Sequence, residues 1–172
     1  MLDVRKLDLD SPEPPVERIR VTQPLELATT RYQNWRPDSG YLPVGVTVGR
    51  PRFFRHSYVS INALAPYELM KGPLAGVNDI PLERRVYRER MRLYEHEILA
   101  ALQELAREYP STPAALMCFE KVAELGEACH RRWAAEWWQE RFGWDVPELE
   151  PPAGAAPARP RKPKPEQPPT LF

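Results

Sequence analysis

Two groups of reactive side chains lie close together in the last third of the sequence. Cys118 and Glu120 end an apolar run, and Cys129, His130 and Arg131 follow after a short gap. A cysteine can act as a nucleophile, a histidine or glutamate as an acid or base, and an arginine binds phosphates and carboxylates. These residue types predict a site, with Glu120, Cys129 and His130 as candidate catalytic residues and Cys118 and Arg131 as candidate ligand-binding residues.

Each of these side chains also has an ordinary structural interpretation. Cys118 can be a small packed hydrophobic residue, Glu120 can bind backbone N–H groups or a nearby arginine, and His130 can brace the fold. A disulfide between Cys118 and Cys129 is a further alternative. Two cysteines in 172 residues are more typical of free thiols in a reducing compartment.

A metal site is the remaining alternative for this region. Cys118, Cys129 and His130 would need a fourth ligand, and an adjacent cysteine and histidine on one helical turn point in different directions. We therefore expect no metal and no other cofactor.

Basic and aromatic residues alternate in a second segment, residues 50–58. This pattern is typical of loops that contact phosphates and bases, although ordinary solvated loops also show it. Arg50 and Arg52 are therefore candidate ligand-binding residues, for DNA or for a phosphorylated or nucleotide-type ligand.

The apolar patterns predict strands and helices in alternation. Alternating residues predict a strand at 16–21, β-branched residues predict one at 44–48, and an apolar run predicts a buried strand at 114–119. Helical spacing predicts one helix over 82–109 and another from about 128 to 142.

The order of these elements favours an α/β fold. Gly143 is expected to end the last helix, whose three tryptophans suit core packing, and the breaker-rich residues 31–40 predict a long loop. We expect a single Rossmann-like layered domain with a mostly parallel sheet flanked by helices, because parallel strands need helical crossovers.

This fold would bring the reactive residues to one place. Ligands bind beyond the carboxyl ends of parallel strands, where Cys118 and Glu120 are expected, and the next helix would begin near Cys129. The N-terminus of that helix and Arg131 would lower the pKa of Cys129, whereas His130 is expected to stay mostly neutral.

Length and composition limit the number of domains and the kinds of partner that the chain can have. Its 172 residues suit one core, and its 24 basic and 24 acidic residues exclude a global attraction to nucleic acid. Without an apolar segment long enough to span a bilayer, we expect a cytoplasmic protein with no membrane partner. Proline positions predict an N-terminal extension at 1–15, an α/β domain at 16–149 and a disordered Pro-rich tail at 150–172.

The motifs around the cysteines resemble the C-terminal half of the domain of unknown function 488 family. In that family a hydrophobic strand ending in Cys-x-Glu is followed by Cys-His-Arg, the order found from Cys118 to Arg131. The match covers roughly residues 86–149. The resemblance implies a compact Rossmann-like α/β domain with a pocket around the five residues named first, and it assigns no reaction.

The last six residues resemble a different kind of motif, the peptides with which bacterial DNA replication and repair proteins bind the sliding clamp. Such a peptide places two apolar side chains in a groove, and a flexible tether raises its effective concentration. Gln167, Leu171 and Phe172 are therefore candidate partner-binding residues. The alternative is an ordinary Pro-rich end.

Three functions follow from these observations. The first is an enzyme-like pocket for a phosphorylated or nucleotide-type ligand. The second is a binding module for DNA transactions that uses the arginine-rich loop and the C-terminal peptide. The third is an interaction scaffold in which the Cys-His-Arg motif only braces the fold.

Overall fold

Short apolar segments of the chain form a parallel sheet at the centre of the protein. The structure is a computed structural model that describes residues 2–120 and 129–151. The strands are β1 (Leu27–Arg31), β2 (Leu42–Gly45), β3 (Val59–Ser60) and β4 (Ala114–Cys118). Their order across the sheet is β1-β4-β2-β3, and all three pairings are parallel. The predicted layered α/β fold with a parallel sheet is confirmed.

Four α-helices accompany the sheet in the described part of the chain. They are α1 (Tyr67–Met70), α2 (Ile80–Leu93), α3 (Glu95–Glu108) and α4 (His130–Phe142). The Asp79 carboxylate caps α2 by accepting the Leu82 N–H at 3.1 Å. Gly143 ends α4 with φ 75°, a left-handed conformation that favours glycine, as predicted. Short 3-10 turns occur at Val4–Lys6, Pro37–Ser39 and Asn62–Leu64.

The two faces of β4 enter different cores. Leu116 and Cys118 pack in the main core with side chains from α2, α3 and α4, whereas Ala115 and Met117 pack against aromatic side chains from loops. Successive strand residues point to opposite faces, so an apolar residue is required at every position. This explains the unbroken apolar run, and the prediction of a strand buried on both faces is confirmed.

The strand predicted at residues 16–21 is wrong. This segment crosses the end of α4 instead of pairing with a strand, because its backbone groups bond elsewhere. The Ile19 N–H donates to the Arg141 carbonyl at 2.8 Å, and the Trp144 indole donates to the Val21 carbonyl at 2.7 Å. Its alternating apolar residues pack on the main core without a strand ladder.

Other boundaries differ from the prediction as well. The strand predicted at 44–48 begins and ends earlier, as β2, and β1 and β3 were not predicted. The single helix predicted over 82–109 is divided at Tyr94, which has φ −102° and ψ 13°. The aromatic ring of Tyr94 lies 4.5 Å from the guanidinium carbon of Arg90, so the break coincides with a cation–π contact.

Residues before the predicted domain boundary contact the helices. Arg85 donates to the Leu9 carbonyl at 2.7 Å, and Arg88 donates to the Glu13 carboxylate at 2.5 Å. The N-terminal segment therefore packs on α2. None of the described helices is both long and apolar enough to cross a lipid bilayer.

A buried ion pair joins α1 to α2. Arg90 donates to both carboxylate oxygens of Glu68, at 2.8 and 2.9 Å, and to the Ala63 carbonyl at 2.9 Å. The two side chains are only 5% and 2% exposed. Removing one partner would leave the other charge buried without compensation.

We therefore expect Glu68→Ala to lower the free energy of unfolding by about 3–5 kcal/mol, measured by urea denaturation. The matched control is Glu104→Ala, which breaks the exposed pair with Arg107 and should change stability by less than about 1 kcal/mol. Equal effects of the two substitutions would contradict the importance of the buried pair.

Candidate functional site

Four side chains with reactive or metal-binding atoms meet where β4 ends and α4 begins. Cys118 is the last residue of β4, and Glu120 lies two residues after it. Cys129 is the N-cap of α4, and His130 is the first residue of that helix. Their ligand atoms all lie within 4.8 Å of one another. The two sulfur atoms are 3.0 Å apart, and the Cys129 sulfur lies 3.5 Å from Glu120 Oε2. We call these four residues the Cys-Glu-Cys-His cluster.

The expectation that Cys129 and His130 point in different directions is wrong. That expectation assumed helical geometry at both positions. Cys129 has extended backbone angles, φ −145° and ψ 132°, because it precedes the first helical residue. Its side chain therefore turns toward the same point as that of His130.

The buried side chain of Arg131 forms hydrogen bonds with several residues of the cluster. Its Nη1 donates to both cysteine sulfur atoms and, at 3.0 Å, to the Glu120 carbonyl. Its Nε and Nη2 form a bidentate pair with the Glu148 carboxylate at 3.1 and 2.7 Å. The guanidinium is completely buried, so its contacts are with the protein. This geometry favours a role in holding the sulfur atoms over the predicted role in binding an external anion.

The His130 ring is oriented by a backbone group. Its Nε2 lies 2.8 Å from the Val46 carbonyl, which can only accept, so Nε2 carries a proton. Its Nδ1 lies 4.0 Å from Glu120 Oε2 and faces the cluster. The loop after β2 therefore determines which nitrogen of His130 takes part in the site.

The cluster also changes the acidity of its members. Burial would raise the pKa of Cys129, but hydrogen bonds from Cys118 and His130 and the charges of His130 and Arg131 lower it to about 5. Burial and the hydrogen bond to Cys129 raise the pKa of Cys118. The predicted lowering of the Cys129 pKa agrees with this arrangement.

His130 and Glu120 are shifted toward their charged forms. Burial opposes protonation of His130, but the hydrogen bond to Cys129 and the charges of Cys129 and Glu120 raise its pKa. This direction runs against the expectation of a mostly neutral His130. Burial opposes ionisation of Glu120, but the charge of His130 and hydrogen bonds from both cysteines lower its pKa.

Solvent reaches the cluster mainly at Glu120. Cys118, Cys129 and His130 are 0%, 2% and 4% exposed, whereas the Glu120 side chain is 32% exposed. An external molecule would therefore meet the carboxylate first.

An aromatic cluster borders this opening. It is built by rings from the loops after β1 and β2 and from the residue that follows β4: Tyr32, Trp35, Phe53, Phe54, Tyr58 and Phe119. Phe119, which lies between Cys118 and Glu120 in the chain, has its ring 6.0 Å from that of Phe53. Phe53 is 51% exposed, so one face of the aromatic cluster is open to solvent.

Three exposed arginines, Arg50, Arg52 and Arg55, surround Phe53 in the chain. Arg50 lies over the Tyr58 ring, with 5.5 Å between its guanidinium carbon and the ring centre. Neither Arg52 nor Arg55 has an ion-pair partner among the described residues. We call Arg50, Arg52, Phe53 and Arg55 the basic-aromatic surface. Its loop follows β2, so it lies at the same edge of the parallel sheet as the end of β4.

Other predictions from the sequence have different outcomes. Trp133, Trp137 and Trp138 are 4%, 2% and 1% exposed, so their predicted role in the core is confirmed. Gln167, Leu171 and Phe172 lie outside the described residues, as does the predicted tail from residue 152 onwards. Their roles stay predictions.

Two groups that organise the site were not predicted from the sequence. Glu148, the carboxylate partner of Arg131, is also bound by the Thr29 hydroxyl at 2.6 Å. The Val46 carbonyl is a backbone group, so its role as the acceptor for His130 cannot be predicted from residue types. The position of Glu148 between Pro147 and Leu149 does not specify a partner.

Comparison of this chain with family models, with curated proteins and with solved structures found no match. The assignment of a function therefore depends on the chemistry of the site.

The ion pair between Arg131 and Glu148 has a measurable consequence for stability. We expect Glu148→Ala to lower the free energy of unfolding by about 3 kcal/mol in chemical denaturation, because a buried guanidinium loses its carboxylate. Glu150→Ala is the control, since Glu150 is exposed. A loss below about 0.5 kcal/mol for Glu148→Ala would show that Arg131 does not depend on this partner.

Proposed function

We propose that this protein is an enzyme-like protein that binds a nucleotide-type ligand at the carboxyl edge of its sheet. The observation that supports the proposal is the contact between Phe53 and Phe119. This contact joins the basic-aromatic surface to the opening of the Cys-Glu-Cys-His cluster. Aromatic rings and arginines suited to bases and phosphates thus lie beside side chains suited to chemistry.

The basic-aromatic surface would bind the two ends of such a ligand. Phe53 is 51% exposed, and stacking of a base on an aromatic side chain contributes about 1–3 kcal/mol. Arg50 and Arg52 would bind the phosphate groups, as predicted from the sequence. The buried Arg131 is assigned to the sulfur atoms, because its donors are already engaged with Glu148 and Glu120.

The reactive part of the site would be Glu120, Cys129 and His130. Glu120 is the member that an incoming ligand reaches first, and His130 stands behind it at 4.0 Å. Cys118 completes the cluster at 3.0 Å from the Cys129 sulfur. The proposal includes a cytoplasmic location, where thiols stay free. It also includes membership of the domain of unknown function 488 family, on the strength of the Cys-x-Glu and Cys-His-Arg motifs.

Ligand binding tests the first half of the proposal. Calorimetric titration of the full chain with nucleoside mono-, di- and triphosphates should detect binding. Phe53→Ala and the double variant Arg50→Ala/Arg52→Ala should each weaken it by about tenfold or more. The controls are Leu93→Ala and Arg107→Ala, which alter exposed side chains elsewhere. Absence of binding, or equal affinity in all variants, would refute the proposal.

Turnover tests the second half. Ligands that bind should be incubated with the protein, and their products followed by mass spectrometry. Cys129→Ser and Glu120→Gln should abolish product formation while the circular dichroism spectrum stays native. A folded variant that keeps wild-type turnover would remove the altered residue from the reaction.

A second candidate function is supported by the same three exposed arginines. Spaced along one loop beside Phe53, they suit single-stranded DNA, whose successive phosphates and bases they could follow. Three phosphate contacts would make the logarithm of affinity fall with a slope of about −2 against the logarithm of salt concentration. Oligonucleotide binding that ignores salt would exclude this function. Deleting residues 167–172 would separately test the predicted attachment to a sliding clamp.

A further inference from the structure

We infer that Cys118, Glu120, Cys129 and His130 form a binding site for a transition-metal ion of the Zn²⁺ class. This inference goes beyond the nucleotide proposal and does not require a nucleotide to bind, and it makes Glu120, Cys129 and His130, the reactive residues of that proposal, ligands of the ion. It is carried by the convergence of four ligand atoms, by the chemistry of those atoms and by the groups that orient them. It replaces the expectation of no metal, which depended on divergent directions of Cys129 and His130.

The distances suit a single ion. Ligand atoms about 2.0–2.3 Å from a tetrahedral zinc ion lie roughly 3.3–3.8 Å from one another. The sulfur atoms here are 3.0 Å apart, the Cys129 sulfur is 3.5 Å from Glu120 Oε2, and His130 Nδ1 is 4.0 Å from the same oxygen. All four ligand atoms lie within 4.8 Å of one another, so the separations fall on both sides of the required range. Each ligand atom would move by about half an ångström, so that pair separations change by up to about one ångström, to reach a common centre.

The donor atoms select the class of metal. Two sulfur atoms, one imidazole nitrogen and one carboxylate oxygen form a mixed set that Zn²⁺ accepts and that Co²⁺ can copy. Mg²⁺ and Ca²⁺ prefer oxygen ligands alone, so the two cysteines disfavour them.

The surrounding groups orient the ligands as in known metal sites. A metal-binding histidine commonly donates its second N–H to a carbonyl or carboxylate, and His130 Nε2 donates to the Val46 carbonyl at 2.8 Å. Nδ1 is thereby directed toward the cluster. Arg131 donates N–H bonds to both sulfur atoms, an arrangement that stabilises thiolate ligands.

The scaffold holds these ligands through contacts of its own. Arg132, next to Arg131 on α4, donates to the Thr29 hydroxyl at 2.9 Å and to the Val146 carbonyl at 2.8 Å. The start of α4 is thus attached to β1, the neighbour of β4. Glu120, with its side chain 32% exposed, is the ligand that solvent or a substrate could displace. A bound ion would supply Lewis acidity at this position.

Cobalt binding tests the inference directly. Full-length protein, purified in reductant and freed of metal with a chelator, is titrated with Co²⁺ and followed by absorption. We expect one equivalent to bind, with sulfur-to-cobalt charge-transfer absorption in the near ultraviolet and the visible bands of tetrahedral Co²⁺. Zn²⁺ should displace it. Cys118→Ser, Cys129→Ser and His130→Ala should each weaken binding at least about 100-fold.

Controls keep the test decisive. His96→Ala changes an exposed histidine and should bind Co²⁺ like the wild type. Because cluster variants could unfold, alkylation of the wild type is measured too, since the chain has only two cysteines. Stoichiometric Zn²⁺ should protect both thiols, and a chelator should restore their reaction. Absence of cobalt–sulfur absorption, binding that survives both cysteine substitutions, or a Cys118–Cys129 disulfide under reducing conditions would overturn the inference.

Nucleotide titration of the metal-free and metal-loaded protein separates the two proposals. Nucleotide binding without any metal binding would refute only the metal site. Metal binding without nucleotide binding would refute only the proposed function.

Discussion

The buried guanidinium of Arg131 is the interaction on which the candidate site depends. It contacts the end of β4 through Cys118, the segment after β4 through the Glu120 carbonyl, and the C-terminal segment through Glu148. Water cannot reach this guanidinium to replace a lost partner. Losing one would therefore leave a buried charge without compensation and would destabilise the fold. The positions of both cysteines and of Glu120 are therefore tied to one side chain.

The two faces of β4 contribute residues to two different parts of the site. One face contributes Cys118 to the side of the sheet that carries the helices, and the other contributes Met117 to the aromatic cluster. Phe119 follows Cys118 directly. Two consecutive residues therefore belong to the buried Cys-Glu-Cys-His cluster and to the partly exposed aromatic cluster. A ligand held by the rings would thus lie close to the reactive atoms without entering the core.

The sequence was informative where residue patterns depend on local structure. The unbroken apolar run of β4 and the glycine after α4 follow from burial and backbone conformation, and both were predicted correctly. The strand at 16–21 was not, because alternation also arises where a segment lies across a helix end. The direction of Cys129 and the partnership of Arg131 with Glu148 depend on how distant segments pack, which residue types alone do not encode.

The segment that carries Glu148 also shields one side of the sheet. The Thr29 N–H donates to the Pro147 carbonyl, and the Leu149 N–H donates to the Thr29 carbonyl, both at 2.8 Å. These bonds occupy the outward N–H and carbonyl of Thr29, in the middle of β1, which would otherwise be free to pair with another strand. At the opposite side, β3 is only two residues long. Short or covered edge strands discourage aggregation through β-pairing. The residue that neutralises Arg131 thus belongs to the segment that covers the middle of this edge strand.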